Sequence, residues 1–288
     1  MRRKLFFALF ILCFQVISAW CEEIVIASWN IRHPGEYQKE FLAEAGLMVS
    51  KNDIDILALQ EVNPYWGKFT DAIRDALEQA TDVKWGYFSS DVNQHIKDAA
   101  VGKEYYNSFR YDQTNVIFYR TDRFTGSNRY KDYSFHKFYE CDYKVDKNSL
   151  LVVSLREIQT GINFNLVNIH LPAGNSEHRY RDFDTVQSLF DSLPDRNGKI
   201  MMGDFNLNYN EVYGHFPYVG VKEPTTLRTK GGFANDYDHF AYNKAVNSHI
   251  VMRPARVKKG GKYVIGAPDF KEMISDHAPV IMSVDFSK

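Results

Sequence analysis

Short apolar runs that end in polar residues recur along the chain. EIVIASWNI (23–31) is β-branched and closes near Asn30, which predicts a strand. DIDILALQEV (53–62) and TNVIFYR (114–120) predict two more, the latter followed by a polar aromatic loop through residue 143. SLLVVSLREI (149–158) and INFNLVNIHL (162–171) flank Gln159, Thr160 and Gly161 and read as a hairpin. KIMMGDFN (199–206), YDHFAYNK (237–244) and HAPVIMSVDF (277–286) supply the last strands. Apolar residues at steps of three and four predict helices over 36–51, 69–80 and 178–193. The helices are interspersed among more numerous strands, and no repeat or low-complexity linker divides the chain. One α/β domain fits, or an α+β domain with two packed sheets. The alternation in INFNLVNI marks a strand with one polar face, so not every sheet is covered on both sides.

Composition narrows this picture only in places. A chain of 288 residues with 44% hydrophobic content can bury one sizeable core or two small ones. A net charge of −1 argues against a tight, stoichiometric DNA-binding module. It leaves an enzyme of nucleic acids open, because local groups and bound cations can handle phosphates. At the N-terminus, basic MRRK is followed by apolar LFFALFILCFQVI and then by small residues before Trp20. This predicts a signal peptide over 1–20, a mature domain over 21–288 and export to the periplasm or the extracellular space. An uncleaved membrane anchor is the alternative. Beyond it, no run is long and apolar enough to predict an integral membrane domain. Of the cysteines, Cys13 lies in the signal, while Cys21 and Cys141 form either one disulfide or two free thiols.

The candidate chemistry sits at strand ends: Asn30, Glu61, His170, Asp204 with Asn206, Asp238 with His239, and Asp276 with His277. Any one of these is explained by a polar turn. Six such places, nearly all carrying metal ligands or acid–base groups, point to a site. Oxygen ligands suit a hard ion such as Mg²⁺, and histidines among carboxylates suit proton transfer or a phosphate contact. Zinc fits less well, since Cys and His sets at tight spacing are lacking.

The ordered set SWN, LQE, NIH, GDFN, YDH and SDH resembles the endonuclease/exonuclease/phosphatase superfamily, whose fold is deoxyribonuclease I-like. The resemblance spans residue 24 to the last strand. It implies an α+β four-layer α/β/β/α sandwich, with two packed, mainly antiparallel β-sheets flanked by helices and a site at one edge. It also implies phosphoester hydrolysis with a divalent cation: Mg²⁺, with Mn²⁺ as substitute and Ca²⁺ as a structural or activating ion. By that resemblance Glu61 is the principal metal ligand, with Asn30 and Asp276 beside it. Asp204 orients the attacking water or supports a metal, and Asn206 holds the phosphate. His277, partnered by Asp238, contacts the scissile phosphate, and His170 is the general acid. Two positions depart from the secreted deoxyribonucleases. Gln113, with Tyr111 two residues earlier, stands where a glutamate partners the second histidine, and Lys147 stands where an arginine meets substrate.

His239 touches substrate or simply packs. Thr225 and Thr226 bond phosphate or stabilise a turn. His33 and Glu36 are weaker candidates in the loop after Asn30. Arg179 and Arg181 face the groove or a solvated helix end. The basic stretch 253–262 is a contact for DNA or anionic membrane, or a charged hairpin turn. The aromatic residues of 105–143 stack on bases or build core. The reading that gathers most of this is a secreted, monomeric endonuclease that hydrolyses DNA with little sequence preference and forms no stable nucleic-acid complex. The alternatives are a lipid or small-molecule phosphoesterase, sphingomyelinase-like or inositol-phosphatase-like, and an inactive binding relative.

Overall fold

Period-two alternation sorts the strand residues into two faces, and the sorting builds the layers. In β1 (Ile24–Asn30), Ile24 and Ile26 pack on one side while Ala27 and Trp29 pack on the other. In β2 (Ile56–Val62), Ile56 and Ala58 alternate with Leu57 and Leu59 in the same way. The computed structural model describes residues 23–32, 34, 37–62, 69–90, 114–128, 150–173, 176–194, 198–216, 218–256 and 262–285.

The remaining strands are β3 (Trp85–Ser89), β4 (Thr114–Arg120), β5 (Phe124–Asn128), β6 (Leu150–Glu157), β7 (Asn163–His170), β8 (Gly198–Asp204), β9 (Val219–Gly220), β10 (Asp238–Tyr242), β11 (Ile250–Arg256) and β12 (Val280–Val284). They form two six-stranded sheets, ordered β11-β12-β1-β2-β4-β3 and β5-β6-β7-β8-β10-β9. Each sheet is antiparallel except for one central parallel pair, β1 with β2 and β7 with β8. Helices α1 (Gln38–Lys51) and α2 (Phe69–Thr81) cover the first sheet, burying Phe41, Met48, Ile73 and Leu77 against Trp29 and Leu59. Helix α3 (Ser176–Ser192) covers the second, where Phe183, Val186 and Phe190 meet Val167, Ile169 and Met201. Between the sheets lie Ile26, Ile56, Leu166, Ile200, Met202 and Phe240. The result is the four-layer sandwich of two mixed sheets flanked by helices.

Several expected bounds shift. β3 escaped the sequence reading, and β5 lies inside the stretch assigned to a loop. Residues 253–256 belong to β11, which removes them from the charged turn expected there. The last strand starts at Val280, because His277 is held outside the ladder: its N–H donates to Ser275 Oγ (3.0 Å), and it forms an isolated bridge with Thr226. Residues 1–20, Cys21, His33, Glu36, Tyr111, Gln113, Cys141, Lys147 and 257–261 lie outside the described residues. Among the described residues no helix is long and apolar enough to cross a membrane.

One glycine sets the geometry of the second parallel pair. Gly203 has φ +143°, and a Cβ there would lie 1.9 Å from Ile169 O, the partner residue on β7. Any side chain must therefore push β8 off β7 immediately before Asp204. Gly203→Ala is expected to destabilise the protein by more than ~1 kcal/mol, read as a lowered urea midpoint. An unchanged midpoint would show that the close approach is not required.

Candidate active site

All four central strands run toward the same edge, and there their inward rows turn from apolar to polar. The row of β1 ends in Ser28 and Asn30, that of β7 in Asn168 and His170, and that of β8 in Asp204. In the second sheet His170 pairs with Asp204 across the parallel ladder, and Asp238 on β10 pairs with Asp204 on its other side. Residues 30, 168, 170, 204 and 238 therefore converge on one patch between the sheets.

Glu61 reaches that patch by a different route. Alternation puts Gln60 inward and would send Glu61 out toward the helices. Between Leu59 and Val62 the ladder with β4 slips by one residue, and Glu61 takes φ +59°. A non-glycine residue in that region costs of order 1–3 kcal/mol and persists only where its surroundings hold it. The bulge turns the Glu61 carboxylate into the site.

Asn30 Nδ2 donates to both Glu61 Oε1 and Asp204 Oδ2, each at 3.0 Å. His170 Nε2 lies 3.6 Å from that Glu61 oxygen and 3.8 Å from that Asp204 oxygen. Two carboxylate oxygens from different sheets thus face one point. Asn30 Oδ1 accepts from Arg32 N–H (3.0 Å), so the side chain presents its donor to the carboxylates. Asp204 Oδ1 accepts from the Asn206 N–H (2.8 Å). Burial pushes the Asp204 carboxyl up from its ordinary value, opposed by His277 and reinforced by the Asp238 charge.

His277 completes the cluster. Its Nδ1 lies 2.8 Å from Asp238 Oδ2 and its Nε2 lies 3.6 Å from Asp204 Oδ2. Burial disfavours the imidazolium, but the charges of Asp238 and Asp204 outweigh it and raise the group to about 10. The backbone around it is tied to β1: Trp29 Nε1 donates to His277 O (3.0 Å), and Ser275 Oγ donates to Asn30 O (2.6 Å).

The remaining predicted residues fall into four groups. Asp276 sits at the rim, with Oδ2 3.5 Å from Arg32 Nε. Asn206 is buried and donates from Nδ2 to Leu171 O (2.7 Å), tying the loop after β8 to the end of β7. Thr225 and His239 do not reach the patch as substrate contacts. Thr225 is fully buried, and its hydroxyl donates to Asp238 Oδ2. His239 follows Asp238 on β10, so alternation points it to the opposite face. It is fully buried there, with Nδ1 3.0 Å from Val221 O and Nε2 2.9 Å from Leu207 O. Tyr111 and Lys147 fall outside the described residues. Sequence reasoning missed Gln60, Asn168, Ser275 and the supporting role of Thr225. The signal for Asn168 was present: an amide at an inward position of an apolar strand, two residues before His170.

The donor set fits a hard divalent cation on the Glu61 side. Glu61 Oε1 and Asp204 Oδ2 are anionic oxygens held close to one donor, and Glu61 is reachable from solvent. Asp204, Asp238 and His277 also offer ligand atoms within 4.8 Å of one another. That trio is already paired internally, and an imidazolium has no lone pair to give, so it fits a cation less well.

The sequence profile described as the Endonuclease/Exonuclease/phosphatase family matches residues 27–277. A protein called deoxyribonuclease from Thioalkalivibrio sp. (strain K90mix) is 26% identical over 285 residues, covering 91% of this chain and 71% of that protein. The fold is shared with D. rerio TDP2 complexed with single-strand DNA product, at TM-score 0.59 and 16% identity over 91% and 98% of the two chains. It is shared equally with the mannosyl-6-phosphatase of Bacteroides thetaiotaomicron VPI-5482, at TM-score 0.58 and 16% identity over 91% and 99%.

Proposed function

The chain belongs to the endonuclease/exonuclease/phosphatase family, and from that premise we propose that it is an exported, divalent-cation-dependent phosphodiesterase that cuts DNA internally with little base preference. It is a hydrolase of phosphoester bonds, and enzymes of this family are divalent-metal dependent. The observation that carries the proposal is the meeting of Glu61, Asp204, His170 and His277 around one point, with His277 held as a cation by Asp238.

Glu61 would hold the cation, which when bound supplies Lewis-acid charge at a phosphate oxygen. Asp204 takes a proton from the attacking water. The Asn30 amide and the Asn206 N–H hold its carboxylate, and its raised proton affinity is the direction a general base needs. The imidazolium of His277 neutralises a phosphate oxygen as charge grows on it. His170 protonates the leaving oxygen as the P–O bond breaks. The Thioalkalivibrio relative's name supports a DNA substrate. Contacts directed at phosphates would read little sequence. The basic and then apolar stretch over 1–20 supports export.

A plasmid-nicking assay on the mature protein tests the substrate. Supercoiled DNA should be nicked with Mg²⁺ or Mn²⁺ and left intact in EDTA, and added salt should inhibit strongly. Intact plasmid alongside hydrolysis of sphingomyelin or of a sugar phosphate would replace the DNA reading with the lipid or small-molecule one. Exported protein that still begins at Met1 would end the signal-peptide reading.

A further inference from the structure

The last regular pair of the β2–β4 ladder before the Glu61 bulge is Leu59 with Val116. The carbonyls of both residues accept from one side chain of the other sheet: Asn168 Nδ2 donates to Leu59 O (3.0 Å) and to Val116 O (3.1 Å). The Asn168 carbonyl oxygen accepts from Gln60 Nε2 (2.7 Å), which also donates to Ser28 Oγ (3.1 Å). That bond fixes which way the Asn168 amide faces, because its oxygen is committed to Gln60 and its NH₂ is left for the carbonyls. Gln60 and Asn168 are both fully buried. Gln60 Oε1 has no hydrogen-bond partner among the described residues.

We infer that Asn168, oriented by Gln60, is a positioning residue that holds the left-handed Glu61 bulge and sets the gap between Glu61 and His170. The inference rests on the reading of Glu61 as the residue that holds a divalent cation. Asn168 lies two residues before His170 on β7, and Gln60 lies one residue before Glu61 on β2. The two amides are therefore the direct link between the strand ends that carry the two groups. Without the two bonds from Asn168, Glu61 can relax toward ordinary strand geometry and swing its carboxylate out of the patch.

The test is Mn²⁺ affinity of the purified protein, followed by the Mn²⁺ electron paramagnetic resonance signal with no substrate present, beside thermal unfolding. Asn168→Leu keeps the volume and removes both donors. Its Mn²⁺ Kd should rise by ~10-fold or more, the scale seen when a group supporting a metal ligand is lost. Asn165→Leu is the reference. It deletes another buried amide from the same strand, one that accepts from Ser154 Oγ, away from the site. It should change the unfolding temperature and leave the Mn²⁺ Kd where it was. If Asn168→Leu fails to fold, Gln60→Met removes the orienting donor and decides alone, again with a raised Kd expected. A folded Asn168→Leu or Gln60→Met that binds Mn²⁺ as the parent does overturns the inference. Parent protein that binds Mn²⁺ no better than Glu61→Gln overturns the reading of Glu61 and this inference with it.

Discussion

His277→Ala is expected to lower turnover by ~100-fold or more, the scale for removing a charge-stabilising donor at a reacting group. The ring is fixed by Asp238 at Nδ1, so its Nε2 is directed toward Asp204 and the space beside it. Burial opposes the imidazolium, yet the carboxylates of Asp238 and Asp204 bring the group from its ordinary 6.5 up to about 10. The sign follows from that direction. The folded state binds this proton more tightly than the unfolded chain, so the interaction contributes fully below about 6.5 and is lost as pH rises through about 10. Across neutral pH the cation is present without a pH cost. Asp238→Asn removes the nearest opposing charge and keeps the shape. It should move the alkaline limb of the rate profile downward and weaken turnover with little change in KM, since the lost charge matters most in the transition state. A rate profile identical in the Asp238→Asn protein would mean that the pair does not govern the reaction.

Glu61→Gln should lower turnover by at least ~100-fold and weaken Mg²⁺ and Mn²⁺ binding, because an amide of the same shape keeps a donor–acceptor pair but loses the anionic oxygen. In the parent, Glu61 Oε1 accepts from Asn30 and faces His170. The glutamine can reproduce the Asn30 contact, so the fold should be preserved and the defect confined to cation binding. Raising the metal concentration should recover part of the rate in the variant and none in EDTA. Full activity of Glu61→Gln at low metal concentration would remove Glu61 from the cation site.

The sequence carried much of this site in its periodicity. Apolar runs bounded by polar residues located β1, β2, β7, β8 and β10, and in the structure alternation puts Asn30, His170, Asp204 and Asp238 on the inward face. The same alternation, followed one residue further, sends His239 away from its neighbour, which is where the structure places it. β3 (WGYFS) is broken by Gly86 and β5 (FTGSN) carries one apolar residue, so neither shows an apolar run, and their pairing depends on edges supplied by other strands.

What no local pattern specifies is the position of Glu61. Period two assigns it to the outer face; a one-residue slip against β4 and a left-handed backbone reverse it. That conformation is unfavourable in isolation, and it is held by carbonyl bonds from Asn168, more than a hundred residues away on the other sheet. The sequence by itself determined which residues could do the chemistry and which strand ends bear them, because side-chain type and alternation are local properties. The packing of one sheet on the other decided which of them meet, because strain at one strand end is stable only when hydrogen bonds from a distant strand offset it.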